Sequence, residues 1–330
     1  MTVKIFSFNP ADHRQQFAEH GFVHIKDGID PEFLEVARAF SQRNLEATKL
    51  DQFAIKGKKE QSLFDFPDGT DYREQIFDAV SQVCGLNRPT MALSERHIQA
   101  YEANANPNPQ AHKDRFPSQI SVGFSIDIPQ GSTLVLYPYD HRELNPFNKA
   151  AALINSLQPD ELPELVLTDA REVELADEPG DVVMFYGSTT WHLRRNAAGA
   201  VNLYVKVNDF DYDPLGEDPS TAERRERTVA IMGNGAQADL GGMVAAKSRR
   251  LDFVSRQYAP HGEHESLHAV LYGSEPFGLT PAQLELLRAA DGRRTLDDLV
   301  GAVAGSGEWS RDEVQRGSVT LLERGALDLI

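Results

Sequence analysis

Three side chains in this sequence have the chemistry of metal ligands and stand beside segments that are typical of β-strands. His112 and Asp114 are two positions apart, and His192 follows much later in the chain. Residues i and i+2 of an extended segment point to the same side, so His112 and Asp114 can both reach one ion. His192 has to come from a distant strand that folds back beside them. Two imidazoles and one carboxylate on one face of a metal leave other positions open, as in non-haem iron(II) sites where O₂ reacts.

The segments around these residues alternate apolar and polar side chains, as half-buried strands do. Residues 119–126 alternate with period two, residues 182–186 form an apolar run after a Pro-Gly-Asp turn, and residues 201–207 alternate again. Short strands separated by Gly, Pro and Asn turns indicate a barrel or a sandwich. Helical patterns flank these strands, so we predict a mainly β fold with flanking helices.

The last part of the chain is helical and different in kind. Thr280-Pro281-Ala282-Gln283 and Ser310-Arg311-Asp312-Glu313 are capping boxes that start helices, and a further helix is predicted from Thr295. Gly325 is predicted to end the last helix, before a final strand. Three short helices and a strand in this order predict a winged-helix-like domain over residues 261–330, after a larger domain over residues 1–260.

The composition argues against several classes of protein. The chain has 330 residues, of which 41% are hydrophobic and 25% charged, and a formal net charge of −17. Nucleic acid and anionic membranes would repel so acidic a protein, so neither is expected as a partner. Cys84 is the single cysteine, which excludes an internal disulfide and a thiolate cluster. Since no apolar stretch suits a signal peptide or a membrane span, we expect a soluble cytoplasmic protein.

The motif His112-Lys113-Asp114 and the run from Pro179 to His192 resemble the iron(II)- and 2-oxoglutarate-dependent oxygenase superfamily. The segment Gly21-Phe22-Val23-His24-Ile25, with the helix after it, is similar to the N-terminal entry of the phytanoyl-CoA dioxygenase-like branch. The run before His192 is similar to that branch and to the Jumonji-C-like branch. The likeness covers roughly residues 15–210 and implies a double-stranded β-helix core of the jelly-roll or cupin-like kind.

The same resemblance implies the chemistry of the site. His112, Asp114 and His192 would hold Fe(II), with 2-oxoglutarate and O₂ as cosubstrates. Related halogenases leave the carboxylate position empty for chloride, so Asp114 implies hydroxylation or another ordinary oxidation.

A cation is also implied for the distal carboxylate of 2-oxoglutarate. Relatives often use an arginine on the strand after the second histidine. Here that strand places Asn202, Tyr204, Lys206 and Asn208 on one face. We predict that Lys206 anchors the carboxylate and that Asn208 adds a hydrogen bond, although lysine offers a point charge rather than a bidentate fork. Arg195, three residues after His192, is the rival anchor.

Four more polar residues are candidates for lining the pocket. Gln119 and Ser121 share one face after the metal motif, and either could bond the cosubstrate or line the pocket. Tyr101 precedes the loop to His112 and could close the site from the side. We assign Gln119 to the cosubstrate, and Ser121, Tyr101 and Tyr204 to the substrate.

The sequence therefore predicts an iron(II), 2-oxoglutarate-dependent oxygenase that hydroxylates a C–H bond of a small molecule, such as an amino acid or a natural-product intermediate. One alternative is a cupin-like metal dioxygenase that does not use 2-oxoglutarate. Another is a peptide-binding or peptide-hydroxylating protein, because the C-terminal helices also resemble small peptide-binding domains of ribosomal-peptide pathways. A homodimer is compatible with the sequence.

Overall fold

The computed structural model describes residues 3–44, 59–233, 240–258, 265–272 and 274–330. The chain forms two compact units, Met1–Asp211 and Tyr212–Ile330. The predicted boundary at residues 260 and 261 therefore differs from the observed division by about fifty residues.

The first unit contains two antiparallel sheets in its described part. The larger sheet has six strands in the order β1-β7-β4-β9-β3-β2, and the smaller has three in the order β6-β5-β8. The strands are β1 (Phe22–Ile25), β2 (Lys59–Leu63), β3 (Ala92–Tyr101), β4 (Ile120–Asp127), β5 (Thr133–Tyr137), β6 (Val173–Leu175), β7 (Val182–Tyr186), β8 (Trp191–Arg195) and β9 (Val201–Asn208).

An apolar core lies between these sheets. Leu134 and Leu136 of β5 pack with Val183 and Phe185 of β7 in one buried cluster. These two antiparallel sheets with flanking helices confirm the mainly β prediction and fit a jelly-roll-like core.

Helices flank both sheets of this unit. They are α1 (Arg14–His20), α2 (Pro31–Asn44), α3 (Tyr72–Cys84), α4 (Ala150–Ser156) and α5 (Pro163–Val166). Helix α2 lies against the larger sheet, and α4 and α5 lie against the smaller one. Phe33 of α2 meets Phe124 of β4, with ring centroids 6.0 Å apart. Leu203 and Val205 of β9 are completely buried, as the predicted alternation requires.

The register of β9 decides which residues face the space between the sheets. Ser121 of β4 pairs with Lys206, and Gly123 pairs with Tyr204. Directly paired residues lie on the same face of a sheet. Ser121, Lys206 and Tyr204 therefore share the face opposite to Leu203 and Val205.

The second unit combines helices with two small antiparallel sheets. Its sheets have the orders β14-β10-β15 and β11-β12-β13 among the described residues. Its elements are α6 (Pro219–Gly233), β10 (Val244–Lys247), β11 (Leu251–Tyr258), β12 (Glu265–Leu271), β13 (Phe277–Leu279), α7 (Pro281–Ala289), β14 (Asp291–Thr295), α8 (Leu296–Ala304), α9 (Arg311–Arg324) and β15 (Leu327–Leu329).

The helix ends of this unit follow the sequence signals. The backbone N–H of Gln283 donates to Oγ1 of Thr280 at 3.2 Å, and the N–H of Thr280 donates to Oε1 of Gln283 at 2.8 Å. This confirms the capping box that starts α7. Gly325 has φ of 75°, the left-handed conformation that ends α9.

Long-range contacts explain why the second unit begins earlier than predicted. The N–H of Leu329 donates to Oγ1 of Thr228 in α6 at 2.8 Å, and Arg225 donates to the carbonyl of Leu322 at 2.6 Å. Strand β10 also pairs with β15. These contacts join α6 and β10 to the C-terminal helices, although the sequence around them carries no pairing signal. Among the described helices, none has the length and apolar character needed to cross a membrane.

Candidate metal centre

The structure brings the three predicted ligands together. One side-chain atom each from His112, Asp114 and His192 lies within 4.8 Å of the other two. The two imidazole centroids are 4.4 Å apart. His192 stands near the start of β8, and the other two residues lie just before β4.

Backbone hydrogen bonds hold the ligands in place. The N–H of His112 donates to the carbonyl of His192 at 2.9 Å, and the reverse bond has the same length. The N–H of Asp114 donates to the carbonyl of Gly187, also at 2.9 Å. Strand β8 thus pairs directly with His112, and the turn before β8 binds the backbone of Asp114.

Lys113 points away from its two neighbours. Its Nζ donates to the carbonyls of His141 at 2.6 Å and Glu143 at 2.5 Å, and lies 4.9 Å from the ring centroid of Trp191. Burial lowers the pKa of Lys113 to about 8. The residue between the ligands therefore secures the segment from the opposite side.

The donor atoms suit a divalent metal. Nδ1 of His192 lies 2.9 Å from the carbonyl of Thr190, which can only accept, so Nδ1 carries the proton. The lone pair is then on Nε2, 3.7 Å from Oδ1 of Asp114. A hydrogen bond from the other ring nitrogen that sets the tautomer in this way is typical of metal-ligating histidines.

The other carboxylate oxygen of Asp114 is held by protein groups. Oδ2 accepts from Oγ of Ser121 at 2.5 Å and forms a short ion pair with Nζ of Lys206. Burial alone would raise the pKa of Asp114, but Lys206, His192 and His112 hold it well below its usual range. Asp114 is therefore ionised at neutral pH, as a metal-binding carboxylate has to be.

Several predicted pocket residues face the same interior. The ring of Tyr204 lies beside Gly123, where an added Cβ would come within 3.1 Å of Cε1 of that ring. Tyr101, the last residue of β3, is half-buried, and burial raises the pKa of its phenol. Tyr101, Tyr204 and Ser121 therefore remain our candidates for contacting a substrate.

Gln119 and Asn208, which we predict to bind the cosubstrate, form hydrogen bonds within the protein. Oε1 of Gln119 accepts from the backbone N–H of Asp209 at 2.9 Å. Asn208 is completely buried, and its Nδ2 lies 3.4 Å from Oγ of Ser94. Both residues thus contribute to the loop and strand ends around the site.

Arg195 is on the wrong face of β8 to serve as an anchor. It pairs with Glu172 at 3.0 Å, and its side chain is 29% exposed. Residues three apart in a strand point to opposite sides, so Arg195 faces away from His192.

Arg194, which the sequence analysis missed, points inward instead. Arg194 pairs with Leu134 across the smaller sheet, as His192 pairs with Leu136, and both leucines belong to the core between the sheets. The guanidinium forms two bonds with Asp177, at 2.8 and 3.1 Å. The two-position spacing from His192 is the signal that could have identified Arg194.

A buried ion pair anchors the segment that follows the metal motif. Arg115 pairs with Glu95 of β3 and donates to the carbonyl of Ser94 at 2.7 Å. Oγ of Ser118 adds a 3.2 Å bond to Glu95. These contacts fix the chain between Asp114 and β4, and the sequence alone does not predict them.

Gly187 allows the backbone to pass close to Asp114. An added Cβ would lie 2.2 Å from Oγ of Ser121, 2.6 Å from Oδ2 of Asp114 and 2.7 Å from the carbonyl of Ser118. We expect Gly187→Ala to displace the Asp114 carboxylate, to weaken Co²⁺ binding, and to lower the free energy of unfolding by about 1–3 kcal/mol. Calorimetric metal titration and urea unfolding would measure both effects.

Gly233→Ala is the matched control, because a Cβ there meets nothing within 4 Å. It should leave metal affinity unchanged. Equal Co²⁺ affinity in wild type and Gly187→Ala would contradict the close approach at Gly187.

Some solved structures are similar to this chain. No family model matches the chain, and no curated protein matches it either. Among solved structures, a Pseudomonas putida prolyl-4-hydroxylase matches with a TM-score of 0.40 and 16% identity, over 60% of this chain and 97% of its own. The 2-oxoglutarate-dependent carbocyclase SnoK from nogalamycin biosynthesis matches with a TM-score of 0.46 and 13% identity, over 67% and 93%.

HygX from Streptomyces hygroscopicus, solved with nickel, 2-oxoglutarate and hygromycin B, matches with a TM-score of 0.42 and 12% identity, over 62% of this chain and 89% of its own. At such identities, the activity of this chain has to be inferred from its own residues.

Proposed function

We propose that this protein is a mononuclear non-haem iron(II), 2-oxoglutarate-dependent oxygenase that hydroxylates an unactivated C–H bond of a small molecule. The observation that carries the proposal is the convergence of His112, Asp114 and His192 within 4.8 Å. Two imidazoles and one carboxylate on one side of a site form the ligand set of iron(II) oxygenases.

Iron bound there would supply the centre at which 2-oxoglutarate and O₂ react with the substrate. The balanced reaction consumes 2-oxoglutarate, O₂ and R–H, and yields succinate, CO₂ and R–OH. The protein's own residues hold the ligands, orient both organic molecules and exclude water.

Lys206 is our proposed anchor for the distal carboxylate of 2-oxoglutarate. An ammonium has three N–H bonds, and the described contacts of Lys206 to Asp114 and Ser121 use two of them. Lys206 is 4% exposed, and a carboxylate that meets it there would form a strong ion pair. Arg194 is the competing inward cation, although Asp177 already neutralises it.

The test is succinate formation by protein loaded with iron(II) under anaerobic conditions and then given 2-oxoglutarate and O₂. The measurement follows the conversion of 2-oxoglutarate itself and is made without an added substrate. We expect succinate from the wild type and none above background from Asp114→Ala. Equal turnover by the two proteins would refute the proposal.

The pairing of both inward cations favours a second candidate, a cupin-like metal dioxygenase that does not use 2-oxoglutarate. Lys206 is bound to Asp114, and Arg194 is bound to Asp177. A dicarboxylate would have to compete with these partners. Visible spectroscopy separates the candidates, because a 2-oxo acid chelated to iron(II) gives a weak charge-transfer band that this alternative lacks.

The second unit suits a third function, recognition of a peptide by a winged-helix-like module. A groove of about 270 Å³ there is lined by Leu251, Val254, Leu267, Leu284 and Leu287, with Lys247 and Arg288 beside them. Leucine side chains flanked by two cations would suit an apolar segment that carries acidic residues.

Selection from a displayed random peptide library with the full chain tests this function. We expect enrichment of acidic, leucine-rich sequences, and loss of that enrichment in Leu287→Asp. No enrichment would exclude a peptide. A dimer that forms with increasing concentration in light scattering, and is lost in the same variant, would instead identify a second copy of the chain as the occupant.

A further inference from the structure

We propose that Ser121 and Lys206 are positioning residues that hold Oδ2 of Asp114, so that Asp114 ligates a divalent metal through Oδ1 alone. We call this pair the Oδ2 clamp. The inference rests on the metal site of the proposed function and adds to it a role for two residues that the sequence assigns to other tasks.

The clamp is built by two neighbouring strands. Ser121 of β4 and Lys206 of β9 are directly paired in the sheet. Their side chains meet, with Nζ of Lys206 2.8 Å from Oγ of Ser121. Ser121 is completely buried and Lys206 is 4% exposed, so water does not compete for these bonds.

The two oxygens of Asp114 have different surroundings. Oδ2 accepts from Ser121 at 2.5 Å and pairs with Lys206. Oδ1 instead faces Nε2 of His192, at 3.7 Å. The side of the carboxylate that points to the imidazoles is therefore the side that the clamp leaves available for a metal.

The clamp matters because a carboxylate can bind a metal through one oxygen or two. A second oxygen would occupy a coordination position that the facial arrangement keeps open for exogenous ligands. Gly187 restricts the carboxylate further, since its backbone passes close to Oδ2. Charge-assisted bonds to Ser121 and Lys206 then fix the orientation that presents Oδ1.

Binding of Co²⁺ to the full chain tests the clamp without any need for turnover. Ser121→Ala removes one bond to Oδ2 and changes no charge, so we expect its dissociation constant for Co²⁺ to rise about 10-fold. Release of Oδ2 also raises the coordination number, so the visible Co²⁺ absorption should become weaker. Lys206→Met should change the spectrum in the same direction.

Ser125→Ala is the matched control. Ser125 lies on the same strand and face and is equally buried, but its Oγ donates to Asp177. It should bind Co²⁺ as the wild type does. A loss in Ser125→Ala equal to that in Ser121→Ala would overturn the clamp in favour of general packing.

Pyruvate separates the clamp from the anchoring role of Lys206, because it chelates a metal but has no distal carboxylate. If Lys206 belongs to the clamp, Co²⁺-loaded Lys206→Met should bind both pyruvate and 2-oxoglutarate more weakly than the Co²⁺-loaded wild type does. Weaker binding of 2-oxoglutarate alone, with an unchanged Co²⁺ spectrum, would leave Lys206 only as an anchor and overturn its place in the clamp.

The remaining outcomes distinguish the two proposals. If wild type binds Co²⁺ and Ser121→Ala binds it with the same affinity and spectrum, the clamp is refuted and the proposed function stands. If wild type binds no divalent metal, the proposed function itself fails.

Discussion

Replacing His192 by alanine is expected to lower the affinity for a divalent metal by more than about 100-fold. This loss is larger than the loss that is typical when the replaced residue only contacts a metal-ligating side chain. The change removes Nε2, which the bond from Nδ1 to Thr190 leaves as a lone-pair donor. Succinate formation should fall to background. Metal content after anaerobic purification and calorimetric Co²⁺ titration measure the first effect, and product analysis measures the second.

His20→Ala is the control for this prediction. His20 lies in α1 with a side chain that is 44% exposed, and its ring contacts Tyr139 rather than the triad. The variant should retain metal and turnover. If His192→Ala also retained both, the triad would not be the metal site.

The second large effect concerns stability. Asp177→Asn should lower the free energy of unfolding by about 3–5 kcal/mol, because it leaves the Arg194 charge buried without a counterion. The side chains of Arg194 and Asp177 are 2% and 0% exposed. Asparagine keeps the shape of the site, so the loss reports charge rather than packing. Urea unfolding measures it.

Two comparisons sharpen this prediction. Glu285→Gln breaks the exposed pair with Arg288 and should cost less than about 1 kcal/mol. The double variant Arg194→Met with Asp177→Leu removes both charges and should be more stable than Asp177→Asn alone. A double variant less stable than Asp177→Asn would contradict this explanation.

The sequence predicts the metal ligands because their spacing has a geometric cause. The alternation that puts His112 and Asp114 on one side of an extended segment is local, and the structure retains it. The same holds for β9, where Leu203 and Val205 are buried opposite Tyr204 and Lys206.

The same alternation distinguishes the two arginines that follow His192. Arg194, two residues after His192, faces the interior, whereas Arg195, three residues after it, pairs with Glu172 on the other face. The partner of Arg194 is harder to predict, because Asp177 comes from a segment before β7 and meets it only through the sheet.

Roles that depend on contacts across strands were not predictable. Ser121 and Lys206 are far apart in the sequence, and only the register of β4 against β9 makes them neighbours on Asp114. In the sequence, Gly187 likewise resembles an ordinary turn residue. Only the fold shows that a Cβ at this position would collide with Asp114 and Ser121. Pair-specific contacts of this kind need tertiary structure.

The reciprocal backbone bonds between His112 and His192 have a thermodynamic consequence. Main-chain pairing sets the distance between the segments that carry His112 and His192. Folding therefore already accounts for much of the conformational entropy that is lost when the three side chains are brought together. A cation that binds this arrangement and not the unfolded chain adds its binding free energy to folding. The melting temperature should therefore rise steadily with the concentration of free divalent ion.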